Sequence, residues 1–177
     1  LPPGLRELDP GLDVPGSFTA IDIHQHPGGV WSDEVAGFVY ERGARSTTPL
    51  AAQTHRDLHQ RLADRIAADA PPARILDMGC GFGKSTRPFW ETFRDADIHA
   101  IDISAPCLEV AAMDAAGAQA RNIRYRQMNA AATDYPDARF DLVTSTMLVH
   151  EMPPGEIEAV FDEAHRVLAP GGRMVHL

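Results

Sequence analysis

From Ala73 to the last residue the chain alternates short apolar runs with helical stretches, and this rhythm restricts the possible folds more than any other feature. Ile75-Leu76, Ile98 to Ile103, Ile123 to Met128 and Phe140 to Val143 each read as a buried strand. Between them the pattern predicts helices near residues 84–94, 105–118 and 154–168. In the last of these, Ile157, Val160, Phe161, Ala164, Val167 and Leu168 form one apolar stripe. Pro170-Gly171-Gly172 is expected to stop that helix before a final strand opening at Arg173. Such alternation implies an α/β domain, a parallel sheet with helices on both faces. The 177 residues suit one domain. A chain of this length buries about 70% of its unfolded surface, so no disulfide or metal staple is required.

The first third reads differently. Residues 1–31 are punctuated by Pro2-Pro3-Gly4, Pro10-Gly11, Pro15-Gly16 and Pro27-Gly28-Gly29, which suggests an arm lying over another structure. Ser32 is a candidate cap for a short helix with Val35, Phe38 and Val39 on its apolar face. Thr48 and Pro49 open a longer helix on which Leu58, Leu62 and Ile66 recur at fourfold spacing, and Pro71-Pro72 ends it. We therefore expect residues 1–70 to form an N-terminal arm with helices packed over the site, and residues 71–177 to form the core.

The chemistry concentrates where the first core strand ends. Asp77-Met78-Gly79-Cys80-Gly81-Phe82-Gly83 turns from strand to helix through three glycines, which tolerate positive φ and let a ligand approach the backbone. In open parallel sheets ligands sit at this end of the strands. Gly83-Lys84-Ser85 ends like a phosphate-binding P-loop, but that motif needs glycine where Met78 stands. A dinucleotide fingerprint needs its third glycine at position 84, which is Lys84. Asp77 would also repel a pyrophosphate. A carboxylate before the loop suits a ligand with an ammonium group and no phosphate.

This run resembles the first motif of the class I, Rossmann-like S-adenosylmethionine-dependent methyltransferases, and four further elements follow in that family's order across residues 73–177. Ala100-Ile101-Asp102-Ile103 ends the second strand with an acid. Met128-Asn129-Ala130 stands where many relatives have Gly-Asp-Ala. Phe140 to Glu151 resembles the fourth strand and the loop leading to a frequent histidine, and Arg166-Val167-Leu168-Ala169-Pro170-Gly171-Gly172 the turn before the fifth. The resemblance implies S-adenosylmethionine as cofactor, with Asp77 holding its methionine end, often through water, above Gly79, Cys80 and Gly81. It implies that Asp102 takes the ribose hydroxyls, since one carboxylate accepts two hydrogen bonds, and that Ile103, Asn129, Ala130, Thr146 and Tyr40 complete the binding site. Asp102 could instead cap the next helix, Asn129 could serve only a turn, and Tyr40, near Arg42 and Arg45, could lie on a solvated helix end. The implied fold has strand order 3-2-1-4-5, and the sequence stops before the family's last two strands. We therefore expect a sheet truncated there, with an exposed edge at strand five able to self-associate.

His150 is the candidate proton acceptor for a protic nucleophile, with packing beneath the cofactor as the alternative. Asp22-Ile23-His24-Gln25-His26 resembles the metal-binding signature of barrel amidohydrolases, but that fold needs about 250 residues. His24 and His26 are expected to line a pocket or the surface, and no metal is expected. A net charge of −9 argues against a nucleic acid partner. No apolar run approaches the ~18 residues of a membrane span. Cys80 and Cys107 lack metal spacing and suggest a reducing, cytoplasmic setting, the alternative being that the two pair. The function implied is methyl transfer to a small-molecule acceptor, the alternative being a non-catalytic methyltransferase-like subunit acting through partner binding.

Overall fold

The computed structural model describes residues 1–177 apart from 21, 23, 25, 32, 47 and 48; of residues 45, 46 and 49–57 it describes the backbone alone. Six parallel strands form one sheet: β1 (Arg6–Glu7), β2 (Arg74–Met78), β3 (Asp97–Asp102), β4 (Ile123–Gln127), β5 (Phe140–Ser145) and β6 (Leu168–His176). Their spatial order is β1-β4-β3-β2-β5-β6. The helices are α1 (Gly16–Thr19), α2 (Ala36–Ser46), α3 (Pro49–Asp69), α4 (Arg87–Thr92), α5 (Ala105–Gly117) and α6 (Pro154–Val167). Alternate strand residues feed two cores. Ile75, Ile98, Ala100 and Leu142 pack beside Ile66, Phe89 and Leu108 on one face. Leu76, Met78, Ile101 and Val143 pack beside Val160, Ala164 and Val167 on the other. Among the described residues no helix is long and apolar enough to cross a membrane.

The expected core order is that of β4-β3-β2-β5-β6, but the expected truncated sheet is corrected, because six strands are present. The additional strand comes from the arm. Arg6 stands opposite Tyr125 and Glu7 opposite Arg126, and the Tyr125 N–H donates to the Leu5 carbonyl at 2.8 Å. Leu5 is itself buried, so a hydrophobic anchor accompanies the backbone pairing at the β4 edge.

Five local expectations also change. Pro170-Gly171-Gly172 lies inside β6, where the pairing jumps from Leu168 opposite Phe140 to Arg173 opposite Leu142, so the extra residues bulge out. α4 begins at Arg87, three residues later than predicted. On α2, the residues expected to face the core point outward: Val35, Phe38 and Val39 are 58%, 43% and 50% exposed, while Ala36 is fully buried. The cause is Gly37, where a Cβ would sit 2.1 Å from the Pro106 carbonyl oxygen. Close backbone approach to α5 fixes the rotation of α2 and overrides its apolar stripe. Among the described side chains of α3, His59, Ala63 and Ile66 are buried, and Leu58 is exposed. The proposed caps Ser32 and Thr48 fall outside the described residues.

On α6, Val160, Ala164 and Val167 are buried as expected, but Phe161 is exposed and Glu163 is buried instead. Glu163 accepts from the Thr133 N–H at 2.8 Å and from Arg166 at 2.6 Å, which satisfies the charge.

Candidate active site

The carboxyl ends of β2, β3, β4 and β5 open onto a cavity of about 680 Å³, a size typical of ligand pockets. It lies where the chain order of the sheet reverses, between β2 and β5. After Met78 the chain turns at Gly79, whose N–H and that of Cys80 both donate to the Ile101 carbonyl, at 2.9 and 3.0 Å. Gly79 has φ +71°, and a Cβ there would meet the Leu148 side chain at 2.6 Å. Only glycine combines that conformation with that contact.

Asp102 ends β3 and lies on the cavity wall. Its Oδ2 accepts from the Gly81 N–H at 2.7 Å and its Oδ1 from the Ser104 N–H at 2.8 Å. The carboxylate thus ties the glycine loop to the start of α5, where Ser104 also caps the helix by accepting from the Cys107 N–H. Burial pushes its pKa up to about 6 against the two backbone bonds, with Glu151 adding to the rise. Ser104 also donates to the Val30 carbonyl at 2.7 Å, which pins the arm to the same corner.

Asp77 stands near the end of β2, beneath the glycine loop. It is completely buried and absent from the cavity wall. Thr86 Oγ1 donates to its Oδ2 at 2.6 Å and Thr144 Oγ1 to its Oδ1 at 2.9 Å. Burial raises its pKa to about 6, opposed by those hydroxyls. The carboxylate is a post under the loop, joining β2, β5 and the start of α4. The two threonines escaped sequence reading: Thr86 lies nine residues on, past the glycine turn, and Thr144 lies 67 residues away, brought opposite Asp77 only by the register of β2 and β5.

The remaining candidates converge. Gly79, Cys80, Gly81, Ile103, Asn129 and Ala130 line the cavity. Asn129 Oδ1 accepts from the Ala131 N–H at 2.8 Å, so the side chain serves its own turn as well. Thr146 also lines the cavity, and its buried Oγ1 has no hydrogen-bond partner. Tyr40 reaches in from α2, about 4.0 Å from where a Gly81 Cβ would lie, and packs edge-on against Phe82. Burial and then Glu151 push its hydroxyl pKa well up. Arg42 is exposed, and the Arg45 side chain lies outside the described residues. Cys80 and Cys107 are buried free thiols whose pKa values burial raises.

On the opposite wall Phe18, Val30 and Trp31 come from the arm, and sequence reading missed them for want of any motif. His24 and His26 line the cavity too. They do not share a ligand: His24 Nε2 lies 2.7 Å from Glu151 Oε1, and His26 Nε2 lies 3.4 Å from Asp33 Oδ2. His150 stands at the mouth, more than half exposed, 3.5 Å from the same Glu151 oxygen. Among the described residues no three His, Cys, Asp or Glu side chains are grouped to hold a metal.

A parallel sheet with a glycine turn after one strand, a carboxylate ending the next and a cavity across the switch point defines a Rossmann-like nucleoside-binding domain. Residues 75–172 match the family of methyltransferase domains. The chain is 33% identical over 118 residues to the demethylmenaquinone methyltransferase of Thermus thermophilus, covering 67% of this chain and 52% of that protein. It is 36% identical over 118 residues to the 27-O-demethylrifamycin SV methyltransferase of Amycolatopsis mediterranei, covering 64% and 42%. Phosphoethanolamine N-methyltransferase 2 of Haemonchus contortus, solved with S-adenosyl-L-methionine, shares the fold at a TM-score of 0.60 and 22% identity, over 68% of this chain and 27% of that one. The chain belongs to the class I S-adenosylmethionine-dependent methyltransferase family, whose methyl donor is S-adenosylmethionine. It spans about half the length of the curated relatives it matches.

Proposed function

We propose that this chain transfers a methyl group from S-adenosylmethionine to a small-molecule acceptor by direct displacement. The observation that carries the proposal is Asp102, a carboxylate fixed on the cavity wall by two backbone N–H groups with its remaining lone pairs unspent. In this assignment Asp102 takes the ribose hydroxyls, Ile103 lies against the adenine, and Asn129 and Ala130 border it. Gly79, Cys80 and Gly81 pass beneath the methionine portion. Thr146 offers its unpaired hydroxyl, which would otherwise be a buried cost without return. Tyr40 closes the site from the arm, and Asp77 holds the loop from below.

When bound, the cofactor supplies a sulfonium methyl with a neutral leaving group, so the chain's residues have mainly to align the acceptor and exclude water. The acceptor side is walled by Phe18, Val30, Trp31 and Met147, with His150 at its mouth. Such a wall suits a compact, partly apolar molecule. The unpaired buried thiols fit the cytoplasmic setting expected from the sequence. Self-association would use the outer edge of β6, which has no strand partner among the described residues.

Calorimetry with S-adenosylhomocysteine tests the cofactor assignment. Asp102→Ala should weaken binding about 100-fold, the worth of two hydrogen bonds to a charged group. Unchanged affinity would remove the basis of the proposal.

A further inference from the structure

The cofactor assignment above leaves His24 without a role, yet the arm delivers its side chain to the cavity wall. His24 stands at φ 59°, a left-handed conformation uncommon for non-glycine residues. Its ring stacks on Tyr40, with centroids 4.0 Å apart and planes inclined by 22°. Its Nε2 lies 2.7 Å from Glu151 Oε1, a contact between residues 127 positions apart in the chain. Both side chains are about three-quarters covered, and both line the cavity.

Taking the cofactor assignment above as its basis, we propose that His24, oriented by Glu151, is the base that accepts the acceptor's proton, and that the acceptor atom is a hydroxyl oxygen. A carboxylate bound to one imidazole nitrogen fixes the hydrogen there and leaves the lone pair on the other. Here Glu151 holds Nε2–H, and Nδ1 receives the proton. The stacked Tyr40 ring keeps the imidazole from rotating away. His150 approaches the same oxygen only to 3.5 Å and is more than half exposed, so it is the less constrained of the two imidazoles. Glu151 is a positioning residue and His24 the catalytic one.

The step balances without a further reagent. As the acceptor O–H bond breaks, its proton passes to Nδ1; the oxygen forms the new bond to the methyl carbon, and the carbon–sulfur pair returns to sulfur as a neutral thioether. The sulfonium charge is thereby replaced by an imidazolium beside Glu151, and His24 releases its proton to solvent through its exposed quarter. A hydroxyl is the nucleophile that gains most from this arrangement. An amine attacks through a lone pair it already has and sheds its proton afterwards, and a thiol ionises readily in water.

Three measurements on the full chain test the proposal. Calorimetry with S-adenosylhomocysteine should give similar affinities for wild type, His24→Gln and Glu151→Gln. Failure of the wild type to bind would defeat the cofactor assignment and leave the pair itself to the second measurement. With S-adenosylhomocysteine present or absent, diethyl pyrocarbonate should acylate His24, read by peptide mass, and Glu151→Gln should slow this about tenfold. Equal rates would overturn the pair whatever the acceptor. Methyl transfer to catechol should fall about 100-fold in His24→Gln and be restored in His24→Ala by added imidazole, whereas His165→Gln, exposed on α6 and away from the cavity, should retain it. Transfer to aniline or thiophenol but not to catechol, or an undiminished catechol rate in His24→Gln, would overturn the assignment.

Discussion

Replacing Gly37 by alanine places a Cβ 2.1 Å from the Pro106 carbonyl oxygen, 2.4 Å from its carbon and 2.8 Å from the Cys107 nitrogen. Ordinary contact begins at 3.4 Å, so α2 and α5 would have to separate by more than an ångström. All three clashing atoms are backbone in the first turn of α5. That turn cannot yield, because its cap Ser104 binds Cys107, Val30 and Asp102 at once. The arm must move instead. Overpacking of this kind costs about 1–3 kcal/mol, and the better helix propensity of alanine returns up to about 1 kcal/mol. We expect a net loss of about 2 kcal/mol, equivalent to a fall in Tm of roughly 4–8 °C for a domain of this size.

Gly43, two turns along the same helix, is the internal control, since a Cβ there meets nothing within 4 Å. Gly43→Ala should therefore stabilise by about 0.5–1 kcal/mol. Urea unfolding of the two variants gives opposite signs if the packing has been understood. Because Tyr40 lies one turn beyond Gly37, Gly37→Ala should also weaken S-adenosylhomocysteine about tenfold, a shift of ~1.4 kcal/mol. A Gly37→Ala protein as stable as Gly43→Ala would refute the close approach of α2 to α5.

Three other perturbations probe the site. Asp77 has a folded pKa of about 6 against 3.8 for the free group, so between those values the native state keeps a proton that the unfolded chain has released. Stability of the ligand-free chain should fall as pH rises through that window, by about 3 kcal/mol for Asp77, and level off above it. Asp102 is raised in the same direction and should steepen the fall. Urea unfolding at pH 4.5 and 7.5 should capture about 2 kcal/mol of it, and Asp77→Asn should flatten the profile. Thr146→Val removes a buried hydroxyl that has no partner, so unfolding should show the ligand-free chain about 1 kcal/mol more stable while calorimetry shows weaker S-adenosylhomocysteine binding. Gly79→Ala should lower stability by about 1–2 kcal/mol, because φ +71° is strained for alanine and Leu148 must move, and should weaken the same ligand in the same assay.

Much of this protein is local and was therefore legible in its sequence. Apolar runs of strand length set the five core strands, the glycine turn and the acid ending β3 marked the cavity, and their order identified the family. These features depend on neighbours a few residues away, where backbone sterics and hydrophobic periodicity act directly. The sequence pattern misjudged the rotation of α2, because three apolar residues made a plausible face while one glycine decided the contact. Nor did it show the two threonine hydroxyls that hold Asp77, which meet the carboxylate only in the fold.

What tertiary structure alone decided is which distant groups meet. The β5 register set Thr144 against Asp77, the arm added β1 to the β4 edge, and the loop after β5 brought Glu151 to His24. Pairings over 67 to 127 residues carry no periodic trace in the chain. They arise only once the cores have closed and buried polar groups must find partners, so their energy belongs to the folded assembly and not to any segment of it.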